Sequence, residues 1–135
     1  MILKPGVEIL IATHNPGKVR EVQEALDSLP VKLRYLTEFP HVSSVDEVGY
    51  TYQDNALLKA VAYAKQTGIC ALADDSGLEV ESLGGKPGPL SARFGGENAS
   101  DLDRIQKLLQ ALAQSGNPSR RARFVCCVVI AGWQT

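Results

Sequence analysis

Three short stretches hold side chains that could do chemistry. The first is Asp74-Asp75-Ser76-Gly77, two adjacent carboxylates reached from the mostly apolar run ICALA. Like charges about 4 Å apart repel by about 4 kcal/mol at an effective dielectric of about 20, so the pair needs a compensating partner. A divalent metal ion would supply it, and magnesium favours a few carboxylates together with substrate phosphates. Acids at the carboxyl end of a strand in an open α/β sheet lie where ligands collect, positioned to bind such an ion or to polarise water. If the strand persists through the pair, Asp74 and Asp75 diverge to opposite faces and have different jobs. The competing reading is an acidic turn, with Asp74 capping nearby backbone and Asp75 in water, because turns use Asp, Ser and Gly heavily.

The second stretch is Thr13-His14-Asn15-Pro16-Gly17-Lys18, at a strand-to-helix junction. A helix N-terminus offers unpaired N–H groups and the positive end of the helix dipole, so a phosphate can bind there with Lys18 adding a point charge. It is not a P-loop, whose pattern G-x-x-x-x-G-K-[ST] fails here because only Gly17 precedes the lysine and Val19 follows it. An ordinary capped helix with a solvated lysine is the alternative. The third stretch, residues 43–60, carries Asp46 and Glu47 in a loop as further metal-ligand candidates and Lys59 on the helix that follows. Taken alone it reads as a solvated acidic loop. His14 and His41 have no evident partner, and neither is assigned a metal.

The elements that must position these residues follow from periodicity. VEILIAT, residues 7–13, is a short apolar run rich in β-branched residues and reads as a buried strand. Asn15 suits an N-cap and Pro16 the first helical position, with Val19, Val22, Leu26 and Leu29 at helical spacing. VKLRYL, 31–36, alternates as a half-buried strand does, and 37–50 reads as a loop. A second helix is expected from a Thr51 cap, with Asp54 partly imitating a capping box, through Ala56, Ala60 and Ala64 to a stop at Gly68. ICALAD reads as a strand, GLEVESLGG as a second, edge-like strand, and GGKPGP as loop. Ser100 with Asp103 marks a third N-cap, and Leu102, Ile105, Leu108, Leu109 and Leu112 form an apolar helical face. RARFVCCVVIAG, 121–132, reads as a long central strand. Strands alternating with helices predict an α/β fold, a mixed sheet with helices packed on it and a ligand cleft at the strand carboxyl ends.

Bulk properties bound the answer. A chain of 135 residues, 44% hydrophobic and 21% charged, predicts a single globular domain over residues 1–135. Fourteen Lys and Arg against fifteen Asp and Glu leave a net charge of -1, which gives no global footprint for nucleic acid or an anionic membrane. Cys70, Cys126 and Cys127 are odd in number and lie in apolar runs, so they read as buried thiols in a reducing cytosol rather than a disulfide or zinc framework. The N-terminal segment has Glu8 within its apolar stretch and no signal-peptide pattern. No stretch approaches the roughly 20 apolar residues of a membrane span, so a cytoplasmic location is expected.

In combination the motifs are more specific than any alone. T-x-N-x-x-K after the first strand, then D-E-x-G-x-T-x-x-x-N-A-x-x-K-A, then A-D-D-S-G-L-x-V followed by L-G-G-x-P-G-x-x-S-A-R-F, resemble the inosine and xanthosine triphosphate pyrophosphatase family from residue 9 to about residue 131. The resemblance implies a magnesium-dependent hydrolase that converts nonstandard purine nucleoside triphosphates (ITP, dITP, XTP) to the monophosphate and pyrophosphate, working as a homodimer. It implies that residues 13–18 (Thr13, His14, Asn15, Pro16, Gly17 and Lys18) hold the triphosphate, with Lys59 as a further phosphate contact. Asp75 would be the general base and a magnesium contact, Asp46 a second acidic metal ligand, and Ser76 a substrate contact. Asp74 would ligate metal instead of, or alongside, Asp75, and Glu47 stands close enough to Asp46 to exchange roles with it.

Two departures from the family pattern stand out. His14 occupies a position where the family often has glycine. The F-G-Y-D-P-like and S-H-R-like segments that recognise base and phosphates in the family do not occur before Thr135. The expectation is an inosine triphosphatase-like fold lacking its C-terminal part, attenuated in activity, with apolar surface exposed around the last strand and concealed by a homodimer or strand exchange. The alternative class is a catalytically silent relative that binds nucleotide or assembles with itself. A receiver domain with an acidic pocket is excluded, since Thr-His-Asn stands where its acid pair would follow the first strand.

Overall fold

The computed structural model describes residues 4–132. The chain end at Thr135, on which the expectation of a shortened fold rests, lies outside the described residues. Strands β1 (Val7–Ile11), β2 (Val31–Tyr35), β3 (Cys70–Val80) and β4 (Ala122–Ala131) form a sheet of order β2-β1-β3-β4. Helices α1 (Pro16–Leu26), α2 (Tyr52–Thr67) and α3 (Asp101–Gln114) connect them. The chain divides into two compact units: the described residues through Asp74 with those from Val128 onward, and Asp75–Cys127.

In the first unit β1 pairs in parallel with β2, from Val7↔Val31 to Ile11↔Tyr35, and with β3, from Ile9↔Cys70 to Ile11↔Leu72. Period-two alternation sorts the strand side chains onto two faces. Leu10, Ala12, Ala71 and Ala73 share one face and form a core cluster with Ala60, Tyr63 and Ala64 of α2. The alanine series of α2 lets the helix backbone come close to the sheet, and Ala56, Ala60 and Ala64 are all buried. Ile9, Ile11 and Leu72 are buried on the opposite parity. On that side Val19 and Gln23 of α1 line a cleft with Ile11 and Tyr35, and Gln23 Nε2 donates to Tyr35 Oη at 2.7 Å. Leu29, expected on the α1 face, lies beyond the helix end and is exposed.

Both ends of α2 follow from side-chain chemistry. Thr51 Oγ1 accepts from the Asp54 backbone N–H at 3.0 Å, and Gly68 closes the helix in the left-handed region at φ 74°. In the second unit Ser100 and Asp103 form a full capping box on α3.

Several expectations are corrected. The two strands read on either side of the acid pair are one continuous strand, β3. Ser76-Gly77 is a turn signal in sequence, yet Gly77 is not among the glycines at positive φ. A Cβ there would lie 2.2 Å from the Gly88 carbonyl oxygen, so the missing side chain admits the turn at Gly88–Arg93 against β3. Ser91 fastens this approach, its Oγ donating to Gly88 O at 2.6 Å and accepting from Leu78 N at 2.9 Å. The last strand, expected in the sheet centre, is its edge. Arg121 sits by Glu81 and Arg123 by Glu79, an opposite ordering that makes β4 antiparallel to β3 and the sheet mixed. Phe124, Cys126, Val128 and Ile130 are exposed along β4, the apolar exposure expected for this strand. The cysteines are therefore not all buried: Cys126 is exposed, and Cys70 and Cys127 are half-buried. On α3 only Leu112 of the expected apolar face is buried, while Leu102, Ile105 and Leu109 face solvent. Among the described residues no helix is long and apolar enough to cross a membrane.

Candidate active site

The chemistry-bearing residues of the first unit gather at the carboxyl ends of its parallel strands. After Ile11 the chain turns through Thr13 and Asn15 into α1. Asn15 N donates to Thr13 Oγ1 at 3.1 Å, while Asn15 Oδ1 accepts from the backbone N–H groups of Gly17 at 2.9 Å and Lys18 at 3.4 Å. The cap thus occupies two of the helix-terminal donors, the second only weakly. His14, Asn15, Pro16 and Gly17 are exposed, and Thr13 is half-buried. A cleft of about 410 Å³ opens beside the turn, lined among others by Thr13, His14, Pro16 and Thr37.

Lys18 lies in the first turn of α1, where the positive end of the dipole disfavours a cation. Its counter-ion is Asp74: Nζ stands 2.7 Å from Oδ2, with side-chain exposures of 28% and 12%. Asp74 has the parity of Leu72 and lies two residues past the last β1–β3 pair, at the carboxyl edge of the parallel strands. Asp75 is also buried, 4% exposed, and has the parity of Ala71 and Ala73. The strand persists through the pair, so the acids diverge as anticipated for a continuous strand. Ser76 is half-buried.

A second lysine–carboxylate pair sits on α2. Lys59, 8% exposed, reaches Glu47 Oε1 at 2.8 Å. Asn55, one turn earlier and 2% exposed, accepts from Gly49 N at 2.8 Å through Oδ1. A side chain at Gly49 would meet Asp54 Cβ at 2.7 Å and Asn55 Oδ1 at 2.8 Å, so glycine is what lets the loop lie on the helix. Lower down, Gln66 Oε1 accepts from Ser43 N at 2.8 Å. The segment read as a solvated acidic loop is thus strapped to α2, with Glu47 half-buried and Asp46 exposed. Asn55 falls in the D-E-x-G-x-T-x-x-x-N-A-x-x-K-A motif, where the sequence alone gives it no role; its signal is a polar residue beside Ala56, at the edge of the buried alanine row.

Among the described residues no group of three or more His, Cys, Asp and Glu converges as a metal cluster. A buried carboxylate at this edge, Asp74 or Asp75, nonetheless fits an ion that takes few protein ligands and completes its shell with phosphate and water, which is the habit of magnesium. Oxygen donors exclude a soft thiolate-type site here.

A family model described as the Ham1 family matches residues 9–134. The chain belongs to the Ham1 family. Among curated Ham1 relatives, a protein of Bacillus anthracis named dITP/XTP pyrophosphatase is 43% identical over 124 residues, 92% of this chain and 61% of the relative. One of the same name from Geobacter sulfurreducens is 48% identical over 122 residues, 90% of this chain and 61% of the relative. The solved structure of a HAM1 protein from Coxiella burnetii superposes with TM-score 0.86 at 44% identity, covering 93% of this chain and 64% of that one. A structure from Mycobacterium abscessus, described as a nucleoside-triphosphatase and dITP/XTP pyrophosphatase, gives TM-score 0.77 at 39% identity. The chain spans about three-fifths of the length of the curated relatives it matches. The resemblance drawn from the motifs and the α/β fold it implied are both borne out.

Proposed function

We propose that this Ham1-family chain hydrolyses nonstandard purine nucleoside triphosphates, dITP, ITP and XTP, to the nucleoside monophosphate and pyrophosphate. The observation that carries the reading is the buried Asp74-Asp75 pair at the carboxyl edge of the parallel strands, with Lys18 of the helix-terminal turn closed onto it. The names of the relatives supply the substrate class. In this reading the turn from Thr13 to Lys18 holds the triphosphate, Lys59 gives a second cationic contact, and Ser76 touches the substrate. Asp75, with Asp74 instead of it or alongside it, and an acid of the 46–47 loop, Asp46 or the better anchored Glu47, would hold magnesium. When bound, the ion neutralises phosphate charge and polarises the attacking water.

Asp75 receives the proton that water releases as it attacks the α-phosphorus. The bond from the α-phosphorus to the α–β bridging oxygen breaks as the water oxygen bonds to that phosphorus, and pyrophosphate leaves with the bridging oxygen, its charge held by the lysines. Such a reaction needs positioning and charge neutralisation more than covalent help from the protein. Pyrophosphate release from dITP, ITP and XTP with magnesium, compared with ATP and GTP, tests the reading. Asp75→Asn is expected to lower turnover by about a thousandfold, within the range of lost acid–base catalysis, with an unchanged melting transition. Retained turnover in that variant would remove Asp75 from its role. Nucleotide binding without release would favour instead a silent, nucleotide-binding relative.

We further propose a cytoplasmic homodimer that covers the apolar side chains of β4, by pairing or strand exchange. Light scattering is expected to give twice the chain mass, and a monodisperse monomer would count against it.

A further inference from the structure

Resting on the functional reading above, the Lys18–Asp74 pair carries a consequence for how cation and triphosphate bind. Lys18 is a cation placed at the positive end of α1, with no acidic residue in that turn to balance it. It needs an anion from elsewhere, and Asp74 provides one at 2.7 Å. Asp74 in turn is buried, so losing its ammonium partner is unfavourable. Lys18 therefore serves two anions that compete for it, the internal carboxylate and an incoming phosphate.

We propose that Lys18 is a counter-ion placeholder: it neutralises Asp74 until a triphosphate draws it away, so that triphosphate and divalent cation bind with positive coupling. While Lys18 stays on Asp74, its ammonium both occupies a carboxylate oxygen and repels a metal ion. Once phosphate takes Lys18, the Asp74 carboxylate loses its ammonium partner and its negative charge attracts the cation. By linkage the cation must favour triphosphate binding by the same factor. Lys18 thus acts on metal binding through Asp74, as a positioning residue, in addition to its contact with phosphate.

Removing the ammonium mimics its withdrawal, so the test reads manganese affinity of the nucleotide-free protein by electron paramagnetic resonance. Lys18→Met is expected to bind Mn²⁺ about tenfold or more tightly than the wild type, an effect of one unscreened charge at short range. Lys18→Arg, which keeps the charge, stays at the wild-type affinity, and Lys18→Met with Asp74→Asn returns to it or below. A merely structural lysine would not produce this pattern. Equal Mn²⁺ affinity in folded Lys18→Met and wild type overturns the proposal, as does tightened binding that survives Asp74→Asn. If Lys18→Met does not fold, Lys18→Gln, which keeps a polar head beside Asp74, gives the same reading. Because this arm contains no nucleotide, it is independent of the pyrophosphate-release assay: failure there removes the functional reading, while failure here removes only the exchange of partners.

Discussion

Helices α2 and α3 make opposite use of their apolar residues. α2 has a weak amphipathic pattern, built on alanine, yet its inward side chains are nearly sealed: Ala56, Ala60 and Ala64 are at most 2% exposed. α3 has the stronger pattern, with leucine and isoleucine at helical spacing, yet Leu102 is 62% exposed and Ile105 and Leu109 are similarly open. Burying such a side chain fully is worth about 1.5–3 kcal/mol, which α3 forgoes at these positions and α2 secures with smaller groups. Periodicity therefore tells which face of a helix is apolar, and says nothing of whether the described fold covers it. β4 repeats the lesson, its Phe124 85% exposed although the run around it reads as core. The lysine–carboxylate pairs of the candidate site, Lys18–Asp74 and Lys59–Glu47, lie with α2 in the packed first unit, where fixed elements hold their geometry.

Gly77 is the tight spot of the second unit, and substitution there should cost the most stability. Gly77→Ala would drive a Cβ into the Gly88 carbonyl, and because that neighbour is backbone it cannot rotate away. A loss of about 3 kcal/mol or more is expected by chemical denaturation. A loss under about 0.5 kcal/mol would mean that the second unit yields throughout and not only at its apolar surfaces. The next effect pairs the two helices directly. Ala60→Leu overfills the contact between α2 and the sheet and should destabilise by about 1–3 kcal/mol. Leu102→Ser on α3 should change stability by no more than about 0.5 kcal/mol in the monomeric state. Similar losses from both would show that α3 is covered in solution.

The smallest effect is electrostatic. The hydrogen bond from Arg34 lowers the pKa of Glu8 below its ordinary 4.5, and the Tyr35 backbone N–H, then Arg34, lower that of Glu38. In the second unit the Ser100 backbone N–H lowers that of Asp103. A carboxylate whose folded value is depressed gives stability that is present above its unfolded value and lost as pH falls through the folded one. Stability should thus decline below about pH 4.5, and Glu8→Gln should flatten that decline in acid thermal melts. All three groups are solvent-accessible, so a modest slope is expected.

Much of the fold was legible because its signals are local. The Asn15, Thr51 and Ser100 caps and the Gly68 stop each depend on a few neighbouring residues, and each stands where its residue type required. The order of motifs likewise named the family, since their side chains must recur in one sequence to serve one site. Misreadings arose where a long-range contact overrode a local one. Ser76-Gly77 looked like a break because a turn and a close approach both favour glycine, and only the Gly88 carbonyl beside it distinguishes them. The apolar run 124–131 looked central because composition does not encode neighbours, whereas strand order does.

By itself, then, the amino-acid sequence determined which residues are acids, caps and glycines, and with them the family and the class of chemistry. Only the tertiary structure decided that Asp74 and Asp75 are unequal, one closed by Lys18 and the other on the opposite parity. It alone decided that Glu47 and not Asp46 meets Lys59, and that Asn55 holds Gly49. The physical reason is the same throughout. Chemical identity and periodicity are properties of neighbouring residues, but the partner of a buried charge is chosen by residues far along the chain that folding brings within about 3 Å of it.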